Sequence, residues 1–162
     1  MNIFPAWLTT AAVTFLMVFA VNSIASVSSE DYRWFARLRR PAWLTFEWAI
    51  PFIWIFIFTC GAISASEVWE TAPNENYTWI LMGCYLLWEV SILVYTPIIC
   101  KLRSLKAGTI SGIITFFVGL ILTLLVFPLN DRAAYLIFPH LLWSPIGTFV
   151  TWQMMQLNPH SN

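Results

Sequence analysis

Long runs of apolar residues, separated by short polar segments, divide the chain into five stretches. Each is close to the roughly 20 apolar residues that a helix needs to cross the hydrocarbon core of a bilayer. The predicted spans are about residues 4–27, 47–68, 78–100, 108–127 and 133–157. The pattern therefore predicts an all-α integral membrane protein, a five-transmembrane-helix bundle that forms one domain over residues 1–162.

The composition agrees with lipid as the main solvent. Hydrophobic residues make up 59% of the chain and charged residues 10%, whereas soluble domains carry about 25% charged residues. The formal net charge is zero, which gives no basic surface for nucleic acid. Cys60, Cys84 and Cys100 lie scattered in apolar runs without CxxC spacing, so inert buried thiols are predicted rather than disulfides or a zinc site.

The basic residues of the connections predict the orientation in the membrane. They concentrate in the first and third connections, whereas the second connection has none: Arg33, Arg37, Arg39, Arg40, Lys101, Arg103 and Lys106. Because basic loops stay in the cytoplasm, the N-terminus is predicted outside and the C-terminus inside. The first apolar run lacks a basic n-region and is long enough to span, so we interpret it as a retained helix and not a signal peptide.

Two of the predicted helices carry aromatic and small residues on one stripe. Helical spacing aligns two sets of side chains, Glu47, Pro51, Trp54, Phe58, Gly61 and Ala65 in the second span and His140, Trp143, Gly147 and Val150 in the fifth. An indole followed one turn later by glycine leaves a notch beside a flat wall, and two such stripes face to face would form an aromatic-lined slot. The alternative is that the tryptophans are interfacial anchors, which suits Trp54, Trp88 and Trp143 less well because they lie at least one turn inside.

Three polar or small features inside the spans each allow two interpretations. Glu89 lies near the middle of the third span, where an acidic side chain costs roughly 2.5 kcal/mol or more. It is either a proton-linked or ligand-contacting group, or a neutral carboxyl bonded to Ser or Tyr of a neighbouring helix. His140 is either a packing residue or an axial haem ligand. Gly108 and Gly112 form a GxxxG, which indicates close helix approach within one chain or in a homodimer.

The chain resembles the TspO/translocator-protein family of tryptophan-rich sensory proteins, which includes the mitochondrial peripheral benzodiazepine receptor. That family enters its second helix through a motif like K-P-x-W-x-P-P-x-W, and its last helix carries P-Y-L-x-W before a small residue. The matching residues here are Arg40, Pro41, Trp43, Trp48, Trp54, Val68 and Trp69 in the first region and Pro139, Leu141, Trp143 and Gly147 in the second. The chain departs from the family motifs at several positions. Phe58 and His140 stand where the family has tyrosine, and Thr151 stands where it has asparagine. Leu44–Glu47 replaces the x-P-P-x stretch, and Trp88, Ile92 and Tyr95 occupy the positions of Gln, Asn and Trp in the third span.

The resemblance implies a membrane protein that binds a tetrapyrrole (porphyrin, haem or bilin), or a similar flat apolar ligand, to sense or regulate tetrapyrrole levels. No obligatory cofactor and no catalytic residue is predicted, and the departures indicate a changed ligand preference. The predicted ligand-contacting residues are Trp43, Trp48, Trp54, Phe58, Trp88, Tyr95, His140, Trp143 and Gly147. The alternatives are a tetrapyrrole or sterol transporter, with Glu89 as the coupling group, and an enzyme that degrades porphyrin with light and oxygen, in which Trp54 and Trp143 supply radicals.

Overall fold

The computed structural model describes residues 5–160, and five of its helical segments are long and apolar enough to cross a membrane. The helices are α1 (Ala6–Ile24), α2 (Ser29–Ala36), α3 (Ile50–Thr71), α4 (Asn76–Leu93), α5 (Tyr95–Leu102), α6 (Leu105–Val126) and α7 (Asp131–Leu157). The spans are α1, α3 with the short turn Glu47–Ala49 before it, α4 together with α5, α6, and α7. The predicted all-α membrane fold with five spans is confirmed; residue 4 of the predicted first span lies outside the described residues.

The five spans form a closed ring. α1 packs against α3 and α4, α3 packs against α7, and α7 packs most extensively against α6, which in turn contacts α4 and α5. The main core lies between α3, α4, α6 and α7. α1, which the structure describes over its whole length, contributes no buried residue to that core. The helix is therefore the most loosely packed of the five spans.

The GxxxG of the fourth span serves packing within this chain. A Cβ added at Gly108 would run into the side chains of Ile99 and Thr151, and one added at Gly112 would run into Thr148 of α7. Both glycines are buried. Their missing side chains therefore let α6 approach α7 and the end of α5 closely, as small residues do in membrane bundles.

Proline positions explain the break in the third span. Pro97 has no N–H to donate to the carbonyl of Leu93, and its ring would clash with that carbonyl in a continuous helix. α4 accordingly ends at Leu93, and α5 begins at Tyr95 after one residue outside the helix. Pro51 lies in the first turn of α3, where its missing N–H costs nothing, as predicted.

The first connection folds back onto the third. Ser28 caps α2 by accepting a hydrogen bond from the backbone N–H of Asp31, and Arg103 binds Glu30 at 2.7 Å and Asp31 at 2.9 Å. The Ser28 hydroxyl, followed by the Arg103 guanidinium, holds the pKa of Asp31 below its usual value. These contacts place the first and third connections at the same end of the bundle, which we call the basic end. The side of the membrane that this end faces stays a prediction.

Cysteine labelling of intact cells tests that orientation. In a variant without the native cysteines, Glu75→Cys should react with an impermeant maleimide from outside, whereas Lys106→Cys should react only after lysis. Both positions are exposed. Glu75 is the N-cap residue of α4, but its side chain makes no capping hydrogen bond, and Lys106 lies inside the first turn of α6, so neither substitution removes a side-chain cap. Labelling of Lys106→Cys in intact cells, with Glu75→Cys protected, would mean that the topology is the reverse of the predicted one.

Candidate functional site

The first connection is fastened across the end of α7. The backbone N–H of Arg39 donates to Oδ1 of Asn158 at 3.0 Å, and Nδ2 of Asn158 donates to the carbonyl of Arg39 at 3.1 Å. The guanidinium of Arg40 pairs with Glu47 at 3.1 Å and donates to the carbonyls of Phe35 and Leu38. Glu47 therefore holds the loop at the entrance to α3.

An aromatic cluster lies under this loop. Trp43 stacks on Phe149, with ring centroids 6.1 Å apart and an interplanar angle of 28°, and its Nε1 donates to Oε1 of Gln153 at 2.5 Å. Phe46 contacts both Trp43, at 6.2 Å, and Trp143, at 6.5 Å. Two of the predicted ligand-contacting residues, Trp43 and Trp143, are thus brought together through Phe46. Trp48 stands apart, with 74% of its surface exposed.

A groove runs between α1 and α3 and encloses about 560 Å³. Trp54 and Phe58 of α3 line it, with ring centroids 6.3 Å apart, and Trp7 and Phe15 of α1 lie on the opposite side. The remaining lining is aliphatic except for Thr14 and Thr59. We call it the α1–α3 groove; it holds two of the predicted ligand-contacting residues and offers flat aromatic surfaces.

Trp88 and His140 lie in the core. Trp88 is 1% exposed and His140 is 0% exposed, and their rings meet edge to face at 5.2 Å. A Cβ on Gly61 would lie 2.6 Å from Cζ3 of Trp88, so the indole already fills the space beside that glycine. Neither residue lines the α1–α3 groove. Iron ligation by His140 would require Trp88 and Gly119 to move away from the imidazole, so the closed core does not fit a haem at that residue.

Tyr95 and Gly147 meet through Thr151. The hydroxyls of Tyr95 and Thr151 are hydrogen bonded, and Thr151 also donates to the carbonyl of Gly147 at 3.2 Å. A Cβ built on Gly147 would have no atom outside its immediate helix surroundings within 4 Å. The space beside Gly147 is therefore open, unlike the space beside Gly61.

A second cavity, of about 380 Å³, lies between α1, α3 and α4 and contains Glu89. The hydroxyl of Thr14 donates to Oε1 of Glu89 at 2.5 Å, and Oε2 is buried with no hydrogen-bond partner among the residues described. The carboxyl thus has a partner on a neighbouring helix, but that partner is a threonine of α1 and not the Ser or Tyr expected. We call this space the Glu89 cavity.

The sequence interpretation missed the contribution of α1 to both cavities. Thr10 and Thr14 are four residues apart and therefore share one face of a largely apolar helix. That spacing was the available signal. Phe46 and Phe149 were also missed, because a phenylalanine at the end of a membrane span or within it is equally consistent with lipid contact.

These features define a polytopic α-helical membrane protein with ligand-sized cavities between its spans. The chain belongs to the TspO/MBR family, whose profile matches residues 6–157. It is 24% identical over 153 residues to the uncharacterised membrane protein YtaB of Bacillus subtilis, covering 91% of this chain and 96% of that protein. It is 22% identical over 148 residues to the tryptophan-rich protein TspO of Bacillus cereus, covering 90% of this chain and 95% of that protein. It is 20% identical over 130 residues to the translocator protein of Bos taurus, covering 80% of this chain and 77% of that protein.

Proposed function

We propose that this protein binds a tetrapyrrole (porphyrin, haem or bilin), or a similar flat apolar ligand, in the α1–α3 groove, and that binding serves to sense or regulate tetrapyrrole levels. The observation that carries the proposal is the pair of rings, Trp54 and Phe58, on one wall of an apolar groove of about 560 Å³. Ligand sites typically enclose about 300–1,000 Å³. A flat conjugated ligand gains from stacking on aromatic faces in such surroundings.

The charges at the basic end suit the acidic groups of a tetrapyrrole. Arg33 and Arg37 are exposed in the first connection and form no ion pair with another described residue. Trp54 lies about one turn from the start of α3, close to that connection. A ligand stacked on Trp54 therefore lies toward the basic end, and arginines bind carboxylates such as propionates in a bidentate manner.

Replacing Trp54 tests the proposed site. In lipid nanodiscs, Trp54→Ala should weaken the binding of protoporphyrin, haem or a bilin by roughly tenfold, because aromatic contacts contribute about 0.5–1.5 kcal/mol beyond the area they bury. Phe58→Ala should act in the same direction. The shift in ligand absorbance on titration gives the affinity without interference from the other tryptophans.

The control is Trp152→Ala, because Trp152 lies near the end of α7 and lines neither cavity. Its affinity should stay close to that of the parent protein. The variants Trp143→Ala and Gly147→Leu test whether the ligand extends to the aromatic cluster, since the leucine of Gly147→Leu would fill the open space beside that glycine. Equal affinity in Trp54→Ala, Phe58→Ala and Trp152→Ala would refute the α1–α3 groove as the site.

The Glu89 cavity favours proton-coupled transport as a second candidate function. A carboxyl with one bonded and one free oxygen is the kind of group that carries protons in membrane transporters. If the protein is a transporter, Glu89→Gln should abolish proton-driven tetrapyrrole uptake into vesicles and leave the affinity unchanged. If the protein senses its ligand, no such uptake exists in the parent protein.

A further inference from the structure

The Glu89 cavity offers hydrogen-bond acceptors and aromatic faces, and within residues 5–160 no basic residue lines it. Its polar lining consists of the Glu89 carboxyl, the hydroxyls of Thr9, Thr10, Thr14 and Tyr85, and the indole N–H groups of Trp69 and Trp79. The aromatic lining consists of Trp69, Trp79 and Tyr85, and the two indoles meet edge to face at 4.8 Å. Lysine, arginine and histidine do not occur among the lining residues, so an anionic ligand would meet no positive side chain.

The hydroxyl hydrogens of the cavity are already engaged. Thr14 donates to Glu89, while Thr9 and Thr10 donate to the backbone carbonyls of Pro5 and Trp7. Since Ser64 donates its single hydrogen to the carbonyl of Ala133, the short bond between the Ser64 and Tyr85 hydroxyls has Tyr85 as its donor. These hydroxyls therefore keep only acceptor capacity.

Glu89 supplies the strongest acceptor and needs a donor. The residue is 6% exposed, and its Oε2 has no partner within residues 5–160. A buried carboxylate is stable only when a positive charge and hydrogen bonds compensate for the lost water; without them the group takes up a proton, which a basic ligand can accept and then donate back to Oε2. A ligand that enters this cavity is therefore selected by its ability to donate to Oε2.

We propose that the Glu89 cavity binds a lipophilic amine. The amine nitrogen donates to Oε2 of Glu89, and the apolar body lies between Trp69, Trp79 and Leu86. The carboxyl and the amine together carry no net charge, whichever of them holds the proton, so the pair can be buried. The aromatic faces add cation–π attraction for the protonated form. This site differs in location and ligand chemistry from the tetrapyrrole site, and it does not rest on that proposal.

Three probes of similar shape test the chemistry: 4-phenylbutylamine, 4-phenylbutan-1-ol and butylbenzene. Binding to the protein in lipid nanodiscs is measured by equilibrium dialysis, and partition into empty nanodiscs is subtracted. The amine should bind at least tenfold more tightly than the alcohol or the hydrocarbon. Glu89→Gln should weaken amine binding tenfold or more and leave the other two probes nearly unchanged, because only the amine uses the negative charge.

Two further variants make the outcome decisive. Glu70→Gln makes the same substitution at an exposed position near the end of α3 and should leave amine binding unchanged. Thr10→Phe fills the cavity from α1, a helix with no buried residue, and should remove amine binding even if Glu89→Gln does not fold. An amine that binds no better than the alcohol, or that binds equally well to Thr10→Phe, would overturn the proposal. Haem titration of the same samples keeps this result separate from the tetrapyrrole proposal.

Discussion

Replacing Trp88 with alanine should destabilise the bundle by about 3 kcal/mol, the lower end of the range for Trp→Ala in protein cores. The lower end applies because lipid is as apolar as the interior, so the loss comes mainly from packing and not from transfer out of water. Trp88 is 1% exposed and contacts Gly61, Tyr85 and His140. Removing the indole leaves a cavity at the place where α3, α4 and α7 meet.

Unfolding by denaturant in micelles, followed by circular dichroism, gives this change in stability. Trp48→Ala is the matched control, because Trp48 is 74% exposed and its replacement should cost little stability. The same experiment separates the two roles of Trp88. If Trp88 contacts the ligand, Trp88→Ala should lower the affinity for a tetrapyrrole while its stability stays within the range of the control. If Trp88→Ala and Trp48→Ala unfold at the same denaturant concentration, the indole is not a packing residue.

Gly119→Ala and Gly147→Ala should change stability in opposite directions. A Cβ at Gly119 would lie 2.5 Å from Nδ1 of His140 and 3.1 Å from Nε1 of Trp88, and both rings are enclosed. Such overpacking costs about 1–3 kcal/mol, which exceeds the gain of about 0.5–1 kcal/mol from replacing a helical glycine. A Cβ at Gly147 meets nothing within 4 Å, so the helix gain remains.

The two variants serve as controls for each other, because the chemical change is identical and both sites lie within a helix. Thermal unfolding in the same detergent should place Gly119→Ala below the parent protein and Gly147→Ala at or slightly above it. A loss of stability in Gly147→Ala equal to that in Gly119→Ala would mean that the space beside Gly147 is not open.

The number of spans could be predicted because the length of an apolar run is set by bilayer thickness. The arrangement of the helices could not, because lipid and protein interior are equally apolar and hydrophobicity does not distinguish a buried face from a lipid-facing one. Trp48 and Trp88 illustrate this limit, since the same residue type is 74% exposed in one case and 1% in the other. The break near Pro97 in the third span was not predicted either, because a proline can interrupt a membrane helix, as between α4 and α5, or lie within one, as Pro139 and Pro145 do in α7.

The candidate sites could be predicted only in part, for the same reason. Glu89 was identifiable because a carboxyl inside a membrane is costly wherever it lies. Its partner Thr14 was not, since a threonine in a helix can satisfy its hydroxyl on its own backbone, as Thr9 and Thr10 do. The aromatic stripe placed Trp54 and Phe58 on one wall, but the space beside Gly61 is occupied by Trp88, which belongs to a different helix.

The loose packing of α1 has a consequence for biogenesis. A transmembrane helix is stable in lipid by itself, because all its backbone hydrogen bonds are internal, and association with other helices is a separate step. During synthesis α1 enters the bilayer first, but its polar contact, Glu89, follows 75 residues after Thr14. The nascent first helix can therefore pack against α3, the second span, but it lacks its polar partner until the third span arrives. α3, α4, α6 and α7 share the main core without it, so we expect that α1, although it precedes these helices in the chain, is not needed for the core to form.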